Sequence, residues 1–155
     1  MTDWQVDRAL EQAAVEVLQQ MFFVDAVRQS APSSTAASLA VELTFDGDPP
    51  GHLLLSLEPQ AAVSIAANFL GANAAALTTG QVADVACELS NMICGTALSR
   101  LESTATFRLS SPAVLSDPRP PANGAVVCLD TGEGNLIVTM CTETPICQTP
   151  AKSAF

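Results

Sequence analysis

Positive charge is scarce in this sequence. Six lysines and arginines are scattered among 155 residues and face sixteen acids, for a net charge of −10. Nucleic-acid binding needs a basic patch to displace counterions from phosphates, and none is present. Histidine is nearly absent: His52 stands alone. No CxxC occurs among the five cysteines, Cys87, Cys94, Cys128, Cys141 and Cys147. No ligand spacing for a metal therefore appears, and no Ser/His or Cys/His arrangement suggests nucleophilic catalysis. An odd cysteine count, with four of the five in apolar periodic stretches, reads as small buried hydrophobes kept reduced. No run of about eighteen apolar residues offers a membrane span. The opening "MTDWQVDRALEQ" is acidic and lacks the basic-then-apolar layout of a signal peptide, so a cytoplasmic location is expected.

What is present is a globular composition, with 48% hydrophobic and 14% charged residues. The length suits a single domain over residues 1–155, with a core at about 3–145 and a loose tail at 146–155.

The periodicity alternates between helix and strand. Leu10, Ala13, Ala14, Val17, Met21 and Val24 recur at spacings of three and four, which predicts a helix over 3–29. Met21, Phe22 and Phe23 at its end are expected to pack in the core or against a second copy. "LAVELTF" (39–45) alternates, "DGDPPG" turns, and "HLLLSLE" (52–58) returns, which is a β-hairpin. Pro59 suits the first turn of a helix over 59–72, with Gly71 near its end. Thr78 or Thr79 would cap a long helix over 79–103. Extended segments follow, and "DTGEG" turns a second hairpin within "GAVVCLDTGEGNLIVTMCTE". "VELTFDGDPPGHLLLSL" echoes "VVCLDTGEGNLIVTM", and "AVEVLQQMFF" can be laid on "ACELSNMICG", which pairs Glu16 with Glu88 and Gln19 with Asn91. Two helix–hairpin units predict an α+β fold with pseudo-twofold symmetry, its long helices packed on a mostly antiparallel sheet.

The long central helix, "DVACELSNMICGTALSRL", carries a narrow polar stripe. Asp84, Glu88, Asn91 and Gly95 step by four, three and four and share one face. Two of them are poor choices for mid-helix. Asparagine competes with the backbone for hydrogen bonds, and glycine costs roughly 1 kcal/mol against alanine. A wet helix face needs neither residue, whereas a glycine there lets a partner approach closely.

"ELSNMICGTALSRL", preceded by Asp84 and followed by "LSSPAVL", resembles the signature of the CheC/CheX/FliY family of chemotaxis phosphatases. Asp84, Glu88 and Asn91 fit its acid–Glu–Asn pattern. Pro112 follows Asn91 after twenty intervening residues, slightly short of the family's usual spacing. The upstream "GHLLLSLEP" also looks like this family, and a single good motif copy resembles its CheX branch. The resemblance implies dephosphorylation of a phospho-aspartate on a CheY-like response regulator. In that reading Glu88 and Asn91 are catalytic: Asn91 holds the attacking water and Glu88 pairs with the regulator's lysine. Asp84, Gly95 and Pro112 are partner contacts. Glu16 and Gln19 form a degenerate second site. The resemblance further implies no cofactor or metal on this chain, with Mg²⁺ carried by the receiver domain. A CheD-like protein is an alternative partner, and a homodimer through the edge of the second hairpin is a further expectation. The other reading is a non-catalytic module that docks such a partner.

Overall fold

The computed structural model describes residues 3–30, 39–101, 106–116 and 124–143. The tail expected at 146–155, Cys147 and the last two residues of the expected 79–103 helix lie outside them. The chain runs α1 (Asp3–Phe22), β1 (Val27–Gln29), β2 (Leu39–Asp46), β3 (Gly51–Leu57), α2 (Pro59–Leu70), a 3-10 turn (Ala74–Ala76), α3 (Thr79–Leu101), β4 (Arg108–Leu109), β5 (Ala113–Val114), β6 (Ala125–Asp130) and β7 (Asn135–Thr142). Every strand pairing is antiparallel. The sheet order is β1-β6-β7-β3-β2-β4, with β5 also on β2.

That order contains the expected symmetry. Exchanging β2 with β6, β3 with β7 and β1 with β4 reverses the list and returns the same sheet. Each half begins with a long helix, and the halves meet at the β3–β7 ladder, where Leu53, Leu55 and Leu57 face Met140, Val138 and Leu136. Each half also lends its short strand to the other's hairpin, β1 to β6 and β4 and β5 to β2.

Strand alternation sets the core. Val41, Leu43 and Phe45 on β2, the three leucines of β3, Val127 and Leu129 on β6, and Leu136, Val138 and Met140 on β7 are all buried. The helices cover this face, α1 against β6 and β7, and α3 against β2 and β3. Val6, Leu10, Ala13, Ala14, Val17, Leu18 and Phe22 supply the buried stripe of α1. Phe22 stacks on Phe69 of α2 with ring centroids 4.6 Å apart. Ala13 and Ala14 of α1 and Ala86 and Ala97 of α3 are buried in the same core.

Helix ends follow local chemistry. Glu58 precedes Pro59 at the start of α2, and Gly71 closes it in the left-handed conformation, its N–H donating to the Ala67 carbonyl. Thr78 and Gln81 form a capping box for α3: Gln81 N–H donates to Thr78 Oγ1 (3.1 Å), and Thr78 N–H donates to Gln81 Oε1 (2.9 Å).

The first helix is shorter than its periodicity predicts. It stops at Phe22, and Val27–Gln29 is a strand on β6. Phe23 takes a left-handed φ of 58°, and Val24 N–H reaches back to the Leu18 carbonyl at 2.9 Å. The bond reaches back six residues, one more than the six-to-one bond of a Schellman ending, and Val24 packs into the same buried cluster as Leu18. Arg28 then ties β1 to α1 through Asp7 (2.8 Å) and Glu11 (2.6 Å).

Of the second hairpin, β7 lies inside the sheet and β6 is covered over half its length. β7 sits between β6 and β3, and β1 covers the Cys128–Asp130 half of β6. Among the described residues no helix is long and apolar enough to cross a membrane.

Candidate functional site

α3 presents its stripe because its other faces are anchored. Leu89, Ile93, Cys94, Ala97 and Leu98 are buried, and so is Ser90, whose hydroxyl donates to the Cys87 carbonyl at 2.8 Å. The opposite arc faces solvent. Asp84 and Glu88 are exposed, and Asn91 and Gly95 are half-buried. Among the described residues no hydrogen-bond or ion-pair partner engages the side chains of Asp84, Glu88 or Asn91. A carboxylate and a carboxamide one helical turn apart, with Cβ atoms about 5–6 Å from each other, are thus offered outward.

A groove of about 490 Å³ runs beside this stripe, lined by Glu16, Val17, Gln20 and Met21 of α1 and by Asn91, Met92, Gly95 and Thr96 of α3. The start of α1 (Trp4, Arg8) instead shares a cleft with Arg100 and Leu101 at the end of α3. The two helices therefore run antiparallel, and the C-terminal end of α1 lies beside the Asn91 region.

A Cβ added at Gly95 would meet nothing within 4 Å. No neighbouring chain segment requires glycine there, so its cost to the helix has no return within the fold. Gly95→Ala is expected to raise stability by about 0.5–1 kcal/mol, read from urea-melt midpoints.

The other sequence-predicted residues divide. Pro112 is half-buried in the segment leading into β5, which pairs with β2 and packs near α3. Glu16 is joined to Arg100 by a short ion pair and lines the same groove as Asn91, while Gln19 is exposed. The second motif copy is thus split: its carboxylate is held by an arginine and is not free in the way Glu88 is. Of the three residues at the end of α1, Phe22 is buried, but Met21 is 46% exposed and Phe23 72%. The Arg100 pairing and the groove itself were not legible in the sequence, because both depend on how α1 crosses α3.

The described cysteines offer no nucleophile to this site. Burial, and then the carboxylates of Asp84 and Glu88, push the Cys87 thiol up. Burial pushes Cys94 up to about 12. Cys87, Cys94 and Cys128 are free thiols. The neutral Cys94 thiol is favoured in the native state. It therefore adds stability that is fully present below pH 9, its reference value, and is lost as pH rises toward 12. The chain has no tyrosine to mask this. Urea melts are expected to show stability falling between pH 9 and 12, with a shallower fall in Cys94→Ala.

The family model described as chemotaxis phosphatase CheX matches residues 39–131. The chain belongs to the CheX family. The matched stretch contains α3 with Asp84 to Gly95, and also Pro112; α1 lies before it. Solved CheX structures share the fold. Chemotaxis protein CheX from Vibrio vulnificus superposes with a TM-score of 0.74 at 20% identity, over 92% of this chain and 99% of that one. CheX from Desulfovibrio desulfuricans gives 0.71 at 20% identity, over 89% and 99%. A chain of the CheX–CheY–BeF₃–Mg²⁺ complex from Borrelia burgdorferi gives 0.70 at 16% identity, over 88% and 96%. No curated protein matches the chain by sequence.

Proposed function

We propose that this CheX-family chain hydrolyses the phospho-aspartate of a CheY-like receiver domain in the cytoplasm, with Asn91 holding the attacking water and Glu88 engaging the receiver's active-site lysine. One observation carries the reading: a carboxamide and a carboxylate stand one turn apart on an outward-facing stripe, unpartnered among the described residues, in a family of chemotaxis phosphatases.

An acyl phosphate is already reactive, so placing water in line with phosphorus supplies much of the rate. Oxygen of that water bonds to phosphorus as the bond from phosphorus to the aspartyl oxygen breaks. The products are a free carboxylate and inorganic phosphate, and the water's protons pass to phosphate and solvent. No protein nucleophile is needed. A carboxamide suits the task because it accepts from and donates to the water and carries no charge to repel phosphate. Glu88, a poor neighbour for phosphate, is a good partner for a lysine ammonium. Mg²⁺ belongs to the receiver, and this chain brings no cofactor. Asp84 sits one turn further out as a docking contact. Gly95 lets the partner's surface come close, so Gly95→Ala, while stabilising, should weaken docking. Pro112 shapes the neighbouring surface. Glu16 is neutralised by Arg100, which favours one working site over two.

The test is decay of a receiver domain labelled at its aspartate, followed with and without this protein. Failure to speed the decay of any member of a receiver panel sinks the proposal.

A further inference from the structure

We propose that Phe23 is a contact residue for the phosphorylated receiver and that with Met21 it forms the apolar wall of an interface whose polar side is the α3 stripe. This rests on the phosphatase reading above. The starting observation is a residue the fold does not need in that form. Phe23 has a φ of 58°, a conformation that costs a bulky L-residue energy and glycine almost none. The residue is 72% exposed, so burial returns little for that cost. The bonds that hold the turn do not use the ring: Val24 N–H donates to the Leu18 carbonyl, and Asn68 Nδ2 donates to the Phe23 carbonyl at 3.4 Å. Glycine would close α1 with less strain. Strain kept at an exposed aromatic side chain points to a use outside the fold.

Position and charge name the occupant. Met21 lines the groove together with Asn91, Met92 and Gly95, and the antiparallel course of the helices carries the chain leaving α1 toward the Glu88 end of α3. Phe23 and Met21 thus continue the surface on which Asn91 sits. Asp84 and Glu88 are exposed on the α3 stripe, and Asp25 is exposed two residues after Phe23. An apolar centre with an acidic rim complements a partner face bearing a lysine. A second copy of a chain with net charge −10 would set the same acids against each other.

Phe23→Gly and Phe23→Leu test this in the full chain, using receivers phosphorylated by acetyl phosphate and the same receivers loaded with beryllofluoride and Mg²⁺. For Phe23→Gly the expected result is a melting temperature at or above wild type, KM raised about tenfold or more, and kcat within about twofold. Binding of the beryllofluoride-loaded receiver should weaken by the same factor, as loss of a partly buried phenyl predicts. Phe23→Leu should fall between. Unchanged KM and affinity in Phe23→Gly overturn the proposal. So does a lowered melting temperature that accounts for the loss, or a wild-type dimer that dissociates in the variant. A wild type that binds the loaded receiver without speeding decay overturns hydrolysis, and the binding titration alone then decides on Phe23. A wild type that binds no receiver overturns both.

Discussion

Asn91→Ala is expected to lower the saturating rate of phospho-receiver hydrolysis by about 10²-fold or more while leaving affinity for a beryllofluoride-loaded receiver within about twofold. The two effects separate because of where the side chain stands. Asn91 is half-buried at the edge of the α1–α3 groove. Its carboxamide has no protein hydrogen-bond partner among the described residues, so truncation leaves no orphaned group and costs the fold little. Glu88, Asp84 and the apolar wall remain to dock the receiver. What disappears is the fixed position of one water, and a misplacement of about 1 Å in a reacting group can cost that factor. Single-turnover decay at saturating protein, alongside a binding titration, reads the two quantities independently. If Asn91→Ala accelerates decay as wild type does, the water is held elsewhere. If affinity collapses with rate, Asn91 is a docking residue.

The parts of this fold that the sequence discloses are those with short-range causes. Alternation in "LAVELTF" and "HLLLSLE" reports one buried sheet face, and the register pairs Leu43 with Leu53 and Val41 with Leu55 as that alternation requires. Pro59, Gly71 and Thr78 mark helix ends by mechanisms confined to a few residues. The end of α1 is different. Its stop uses no glycine or asparagine; Phe23 is forced left-handed because Val24 must reach the core and Val27–Gln29 must reach β6. Periodicity continued through this break because Val24, at the right spacing, is indeed buried, but by the chain turning back rather than by another turn of helix. The site divides in the same way. The stripe on α3 is legible because i, i+3 and i+4 residues share a face. That Glu16 faces Arg100 is a fact about how two helices cross, and no local pattern carries it.

The symmetry that relates the halves does not make their sites equal. Glu16 and Gln19 occupy the places of Glu88 and Asn91 in the echo, yet Arg100 claims the first carboxylate. An exposed ion pair of this kind contributes little to stability, about 0–1 kcal/mol. Its consequence lies in charge: Glu16 in the groove and Glu88 on the neighbouring stripe would be two open acids on one surface, and the arginine leaves one. At position 95 the helix runs on through glycine, while its counterpart Phe23 ends α1. The duplicated frame supplies two similar helices, and the side chains at these few positions distinguish the face proposed to be catalytic from the one proposed to be its apolar wall.

Gly51→Ala is expected to have the largest effect on folding, a loss of about 3 kcal/mol or more in urea unfolding, with kcat per folded molecule unchanged. A Cβ at this position would lie 2.1 Å from the Cys141 carbonyl oxygen and 2.6 Å from Cζ of Phe45. Neither neighbour can yield cheaply. Cys141 belongs to β7, which pairs with β3 along its full length, and Phe45 is a buried core residue packed edge-to-face on Phe107. Relief therefore requires β3 and β7 to separate locally or Phe45 to leave its rotamer, and overpacking of this kind costs about 1–3 kcal/mol or more. The damage falls on the ladder that joins the two halves, so it should propagate to the whole domain as one cooperative loss. The α3 stripe is held by the packing of α3 on α1 and α2 and by buried Leu89 and Ile93, and it should survive intact in every molecule that folds. A Gly51→Ala variant with normal stability would mean that the β3–β7 joint is more compliant than its packing implies. One with normal stability but low kcat would mean that the joint reaches the site.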